Sequence, residues 1–170
     1  TDKKVLLPDI WGDYGWYIDK DATTDILYQY ILAGQTAVVQ PEYVYTAMDR
    51  TRYDIGNTYV EICITTQTLW CYYNGELITT TPIISGNEST GFCTPSGSVW
   101  AIDAKKTDWQ FTYFPNAFSK FWMPFNDKCG MHDASWQPPE SYNVETYKTA
   151  GSHGCINTPD APMELIYKYM

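Results

Sequence analysis

The chain has 170 residues, room for one domain with a sizeable core and a short appendage but tight for two full domains. Its content of 44% hydrophobic and 16% aromatic residues argues against disorder, and a net charge of −9 with only Arg50 and Arg52 as arginines leaves no basic surface for phosphates, which excludes nucleic acid as a partner. No apolar run approaches the roughly 20 residues of a membrane-crossing helix, and a start at Thr1 without a signal-peptide pattern is expected of a piece excised from a longer protein.

Residues 1–19 carry Pro8, Gly12 and Gly15 among Trp11, Tyr14, Trp16 and Tyr17, which predicts an irregular segment anchored by aromatic rings. Asp19 or Asp21 caps a predicted helix that runs to Gly34, with Ile26, Leu27, Tyr30 and Ile31 recurring along it. Residues 35–56 read as an extended linker.

From Asn57 the pattern has period two. Residues 59–64 and 69–73 are predicted strands, Asn74-Gly75 is a strong hairpin signal, and 77–85 is the return strand. Glycines and prolines at 86–97 mark a loop. Strands are expected at 98–104, 109–114 and 121–125, with another ending at Gly130-Met131-His132. Residues 133–150, with Pro138 and Pro139, read as a loop over a site. Thr158 and Pro159 resemble an N-cap and first helical position, and Leu165, Ile166 and Tyr169 supply the apolar face of a last helix. The fold class expected is mainly β, with two helices.

The chemistry concentrates at Ser152-His153-Gly154-Cys155-Ile156-Asn157. The chain holds two histidines, His132 and His153, and both fall near this cysteine. A thiol is a weak nucleophile until it loses its proton, and an adjacent imidazole lowers its pKa and accepts that proton. Glycine at 154 lets backbone approach a carbonyl, so the N–H groups of Gly154 and Cys155 are candidates for an oxyanion site. Either histidine alone reads equally well as a structural group. Zinc on His132, His153 and Cys155 is disfavoured by the cramped spacing and the lack of a fourth ligand, so no metal or cofactor is expected. The remaining cysteines, Cys63, Cys71, Cys93 and Cys129, are expected to be free, because a domain of this size needs no staple.

Order also discriminates. Papain-like hydrolases place cysteine before histidine, the reverse of His132 and Cys155, and sortases need an arginine after the cysteine, where this chain has none. The motif at 152–157 with His132 upstream resembles the signature of the L,D-transpeptidases, the YkuD-type catalytic domain of bacterial cell-wall enzymes. The similarity extends through Tyr59-Val60-Glu61-Ile62, Leu69-Trp70, Asn74-Gly75, Ser85-Gly86-Asn87, Thr94-Pro95-Ser96-Gly97 and Met123-Pro124-Phe125, and so covers 57–170. Residues 1–56, through Tyr14-Gly15-Trp16-Tyr17-Ile18-Asp19, are similar to the tail of a peptidoglycan-binding-like module plus linker.

The resemblance implies a YkuD-like mixed β-sandwich with a C-terminal helix and a short N-terminal helical segment. Cys155 would attack a tetrapeptide stem, release its terminal D-alanine and pass the acyl group to an acceptor amine as a 3→3 cross-link. His132 would be the base, oriented by the backbone carbonyl of Ser152, with His153 shaping the pocket and Gly154 and Cys155 forming the oxyanion hole. Trp136, Tyr113 and Trp122 are candidates to line the substrate cleft, or core aromatics. Asn157 is either a bond to the loop or substrate, or simply a residue at the start of the helix. Implied partners are peptidoglycan stem peptides, with carbapenem β-lactams as covalent inhibitors, and the implied location is the outer face of the membrane or the cell wall of a Gram-positive bacterium. The chain departs from the family in having Asp133 where glycine is frequent, and in stopping at Met170, before the family's usual last strand. Alternatives are an L,D-carboxypeptidase using water as acceptor, and a wall-binding domain without catalysis.

Overall fold

The structure is a computed structural model that describes residues 12–48, 50, 54–112, 114 and 117–170. The chain divides into two compact units, Asp13–Gly56 and a larger one built on Asn57–Met170. In the smaller unit, β1 (Tyr17–Ile18) pairs antiparallel with β2 (Tyr43–Tyr45), and α1 (Lys20–Leu32) lies between them in sequence. Asp19 caps α1 by accepting from the Ala22 N–H at 2.9 Å, and Gly34 takes φ +62° just after the helix, as the sequence predicts. Aromatic anchoring is also as expected: Trp16 meets Tyr43 edge to face, Tyr17 stacks on Tyr45, and the Tyr14 hydroxyl donates to the Asp54 carbonyl. The extended stretch at 35–56 narrows to the three residues of β2 among those described.

The larger unit is mainly β. β3 (Tyr59–Cys63), β4 (Thr68–Tyr73) and β5 (Glu76–Pro82) form an antiparallel sheet. Asn74 and Gly75 both take positive φ, +51° and +84°, the backbone that a two-residue hairpin with native twist requires. A second sheet runs in the order β6 (Lys106–Gln110), β7 (Phe118–Asn126), β8 (Cys129–Asp133), β9 (Ile156–Thr158). The last pairing is parallel, so the sheet is mixed. A parallel pair needs a long crossover, and residues 134–155, including the short α2 (Thr146–Ala150), supply it.

Both sheets and α3 (Asp160–Tyr169) share one core of Leu69, Cys71, Ile83, Met123, Phe125, Met131, Ile156, Met163 and Ile166. Deletion of a side chain such as Met163 from this cluster costs on the order of 2–5 kcal/mol.

Several expectations shift. The stretch 98–104 is not a strand, and the one predicted at 109–114 lies earlier, at Lys106–Gln110. The loop predicted over 133–150 carries a 3-10 turn at Pro139–Ser141 as well as α2. β9 was not foreseen: Thr158 ends this strand and Pro159 takes the N-cap position of α3. On α3 the predicted Ile166 is buried and is joined by Met163 three residues before it, while Leu165 is exposed, because adjacent helix positions point in different directions and Met163 and Ile166 share the face turned to the core.

Candidate active site

The crossover returns β9 alongside β8 with Met131 opposite Ile156, His132 opposite Asn157 and Asp133 opposite Thr158. Continued back one residue, this register sets Cys155 beside Gly130. Cys155 directly precedes β9, at the bend that Gly154 makes with φ +110°, so the pairing carries it to the end of the strand beside the one that bears His132. The two residues that the sequence singles out are thus carried by adjoining segments through a single strand pairing.

His132 is 3% exposed. Its ring sits among Phe111, Trp122 and Trp136, at centroid distances of 4.8, 5.7 and 5.6 Å. Nδ1 lies 2.8 Å from the Asp133 carbonyl oxygen. A carbonyl only accepts, so Nδ1 carries the proton and Nε2 keeps its lone pair. Burial pushes the imidazole down to about 4, against the opposing pull of the Asp133 carbonyl and charge. It is therefore neutral at pH 7 and a ready acceptor.

This corrects the orienting group. Not Ser152 but the backbone of Asp133 holds the ring, and the Ser152 carbonyl accepts instead from the Asn87 N–H at 2.8 Å. Asp133 does not face solvent either. It is 1% exposed, and its carboxylate accepts from the Phe121 N–H at 2.8 Å, the Lys120 N–H at 3.1 Å and the Ser119 hydroxyl at 3.1 Å.

The Cys155 sulfur lies 3.7 Å from the Lys128 carbonyl oxygen. Burial first, with the nearby Cys129 adding to it, pushes the thiol up to about 11, against a backbone hydrogen bond from Gly130. At neutral pH the Cys155 side chain is a thiol, not the low-pKa thiolate expected from a histidine neighbour.

The loop before Cys155 is held from several directions. The Ser152 hydroxyl donates to the Cys155 carbonyl at 2.5 Å and accepts from the Gly154 N–H at 3.1 Å. That N–H, assigned from sequence to the oxyanion hole, is thus already engaged, which leaves the Cys155 N–H as the remaining candidate donor of that pair. The Ser152 N–H donates to the Ser85 carbonyl, and Thr94 links two strands of the loop cluster by accepting from the Gly86 N–H and donating to the Gly154 carbonyl, each at 2.9 Å. Gly154 takes φ +110°, which strains any side chain.

The other candidates separate. Trp136 is 43% exposed and stacks on the outer side of His132, where it borders the site. Trp122 is 5% exposed and packs against the imidazole, so it supports that ring rather than lining a cleft. Tyr113 lies outside the described residues. His153 is exposed between Phe92 and Phe114, at 4.7 and 4.6 Å. Asn157 is buried within β9 rather than at a helix start, and its backbone exchanges hydrogen bonds with Ile84 at 2.9 Å. Sequence reasoning missed Phe92, Phe111, Phe114 and the role of Thr94. Only Thr94 carried a signal, through its Thr-Pro-Ser-Gly motif.

A cavity of about 270 Å³ bordered by Thr66, Gln67, Thr81 and Tyr142 contains neither Cys155 nor His132, so the chemistry takes precedence over cavity size in placing the site. Among the described residues no group of three or more His, Cys, Asp or Glu side chains is arranged to hold a metal ion, and no helix is long and apolar enough to cross a membrane.

Residues 57–170 match the family model of the L,D-transpeptidase catalytic domain, YkuD. A crystal structure of Enterococcus faecium L,D-transpeptidase with a cysteine-to-serine mutation is similar over the whole chain, at 32% identity and a TM-score of 0.76, and the chain covers 68% of that protein. The catalytic domain of the E. faecium enzyme acylated by ertapenem is 32% identical over 68% of this chain and 91% of its own, with a TM-score of 0.55. An L,D-transpeptidase from Stackebrandtia nassauensis, 24% identical over 71% of this chain and 57% of its own with a TM-score of 0.51, shares the fold. A search of curated proteins returned no match. With the family model spanning residues 57–170 and the E. faecium fold spanning the full chain, the protein belongs to the YkuD family of L,D-transpeptidases and is a cysteine-dependent transpeptidase.

Proposed function

We propose that the chain forms 3→3 cross-links in peptidoglycan through an acyl-enzyme on Cys155. The observation that carries this reading is the hydrogen bond of His132: with Nδ1–H committed to the Asp133 carbonyl, Nε2 keeps its lone pair, and the pairing of β8 with β9 brings Cys155 to the end of the neighbouring strand. Nε2 takes the thiol proton as sulfur attacks the carbonyl of the third stem residue, and the Cys155 N–H receives the developing oxyanion. Collapse of the tetrahedral intermediate expels D-alanine, whose amine collects the proton from the imidazolium. A side-chain amine of a second stem then attacks the thioester, and Cys155 leaves as the thiolate and is reprotonated. The exposed Trp136 and the Phe92, His153 and Phe114 rings border the stem peptide.

Carbapenems acylate the same sulfur in this proposal, supported by the ertapenem adduct of the E. faecium domain. The wall of a Gram-positive bacterium is the proposed setting, and the aromatic unit at 13–56 is proposed to be part of a peptidoglycan-binding-like module.

Incubation with a disaccharide-tetrapeptide and mass analysis of products tests the reaction. Dimers with loss of D-alanine are expected. Loss of D-alanine without dimers would make the chain a carboxypeptidase, and neither product would leave a wall-binding domain. In parallel, Cys155→Ala is expected to abolish the carbapenem mass adduct while remaining folded, and an adduct in that variant would remove Cys155 from its role.

A further inference from the structure

The proposed mechanism uses one thiol, and a second thiol packs against the same loop. The Cys129 sulfur packs against Gly154, the residue before Cys155: a Cβ built on Gly154 would lie 2.9 Å from it. The Cys155 sulfur in turn lies 3.7 Å from the carbonyl of Lys128, the residue before Cys129. Each sulfur thus lies against the chain neighbour of the other. Cys129 is the first residue of β8 and Cys155 directly precedes β9, so the parallel pairing brings the two cysteines to the same end of the sheet.

On neighbouring strands about 4.8 Å apart with a rise of about 3.3 Å per residue, positions offset by one residue have Cα atoms about 6 Å apart. A disulfide spans Cα separations of about 4.4–6.8 Å. A regular pleat would aim consecutive positions at opposite faces, but the φ of +110° at Gly154 breaks the pleat just before Cys155. Neither thiol is bridged in the structure, and both are partly accessible.

We propose that Cys129 is a resolving thiol which captures oxidised Cys155 as a reversible Cys129–Cys155 disulfide, switching the transferase off and sparing its nucleophile from irreversible oxidation. The regulatory consequence rests on Cys155 being the nucleophile. With a peroxide as oxidant, His132 takes the Cys155 proton and the thiolate attacks the O–O bond. An S–O bond forms, hydroxide leaves and is protonated to water, and Cys155 becomes a sulfenic acid as the peroxide is reduced by two electrons. The Cys129 sulfur then attacks the sulfenic sulfur, the S–S bond forms, the S–O bond breaks, and the Cys129 proton leaves with hydroxide as a second water. A dithiol reductant restores both thiols.

The test treats the reduced full chain with hydrogen peroxide and maps its peptides without reduction. A Cys129–Cys155 linked peptide is expected, together with loss of ertapenem labelling that dithiothreitol restores. In Cys129→Ser, ertapenem labelling before oxidation is expected to match the unsubstituted chain. Peroxide should then abolish it irreversibly, with Cys155 recovered carrying two or three added oxygens. A bridge from Cys155 to Cys93, whose carbonyl also approaches Gly154, or equal recovery of Cys129→Ser under dithiothreitol, would overturn the proposal. Peptide mapping does not depend on activity, so a bridge without any ertapenem labelling would refute the nucleophile and not the bridge, whereas labelling without a bridge would refute only the resolving thiol.

Discussion

At the scale of residues, the pair at the site is neutral, because burial works against both charged forms. Burial takes His132 down to about 4 and Cys155 up to about 11, and the charge of Asp133 is too small a counterweight to reverse the first. The pH profile of ertapenem acylation follows from this. Above about 4 the imidazole is free to accept, so the rate should hold level through neutral pH and fall only as pH drops to about 4. An acid limb centred near 6.5 would show instead an unperturbed histidine. His132→Gln keeps much of the packing but removes the lone pair at Nε2, and should slow acylation about 10²- to 10⁴-fold. Near-normal rates in that variant would move the base role to His153.

At the scale of elements, the parallel pairing of β8 with β9 joins residues of the crossover's two ends, and Asp133 secures the junction. Its carboxylate binds two N–H groups and a hydroxyl of β7, and its carbonyl fixes the His132 ring. Asp133→Asn turns one acceptor into a donor facing other donors, and should cost about 1–3 kcal/mol of stability. Removing the charge should also move the acid limb of acylation below that of the parent. A merely structural residue would change the unfolding midpoint and leave that limb in place. Gly154→Ala introduces a Cβ 2.9 Å from the Cys129 sulfur at a φ that L-residues avoid. The loop has to shift, and a loss of acylation well beyond tenfold is expected from misplacement of Cys155. Unchanged acylation would show that the loop needs no such backbone.

At the scale of the whole molecule, the same buried histidine couples folding to acidity. In the unfolded chain His132 protonates near 6.5, and in the folded chain near 4. The folded pKa is the lower one, so its stabilising contribution is full above about 6.5 and is lost as pH falls toward 4, by about 3 kcal/mol. Urea unfolding at pH 7 and at pH 4.5 should show this loss, and His132→Phe should reduce the difference. An equal pH dependence in both proteins would assign it to other groups.

What the sequence determined by itself was local. Period-two alternation, the Asn74-Gly75 turn and the Asp19 cap are written in neighbouring residues, and the Gly-Cys motif with an upstream histidine marked the nucleophile and a candidate base. β9 escaped notice because three residues carry no usable period, and the strand exists only through its partners β8 and Ile84. The hydrogen bond of the His132 ring, the burial of Asp133 and Trp122, the engagement of the Gly154 N–H and the approach of Cys129 to Gly154 were likewise decided by tertiary structure. Each depends on contacts between residues far apart in the chain, and burial, which sets both pKa shifts, has no value until the chain has folded around the group.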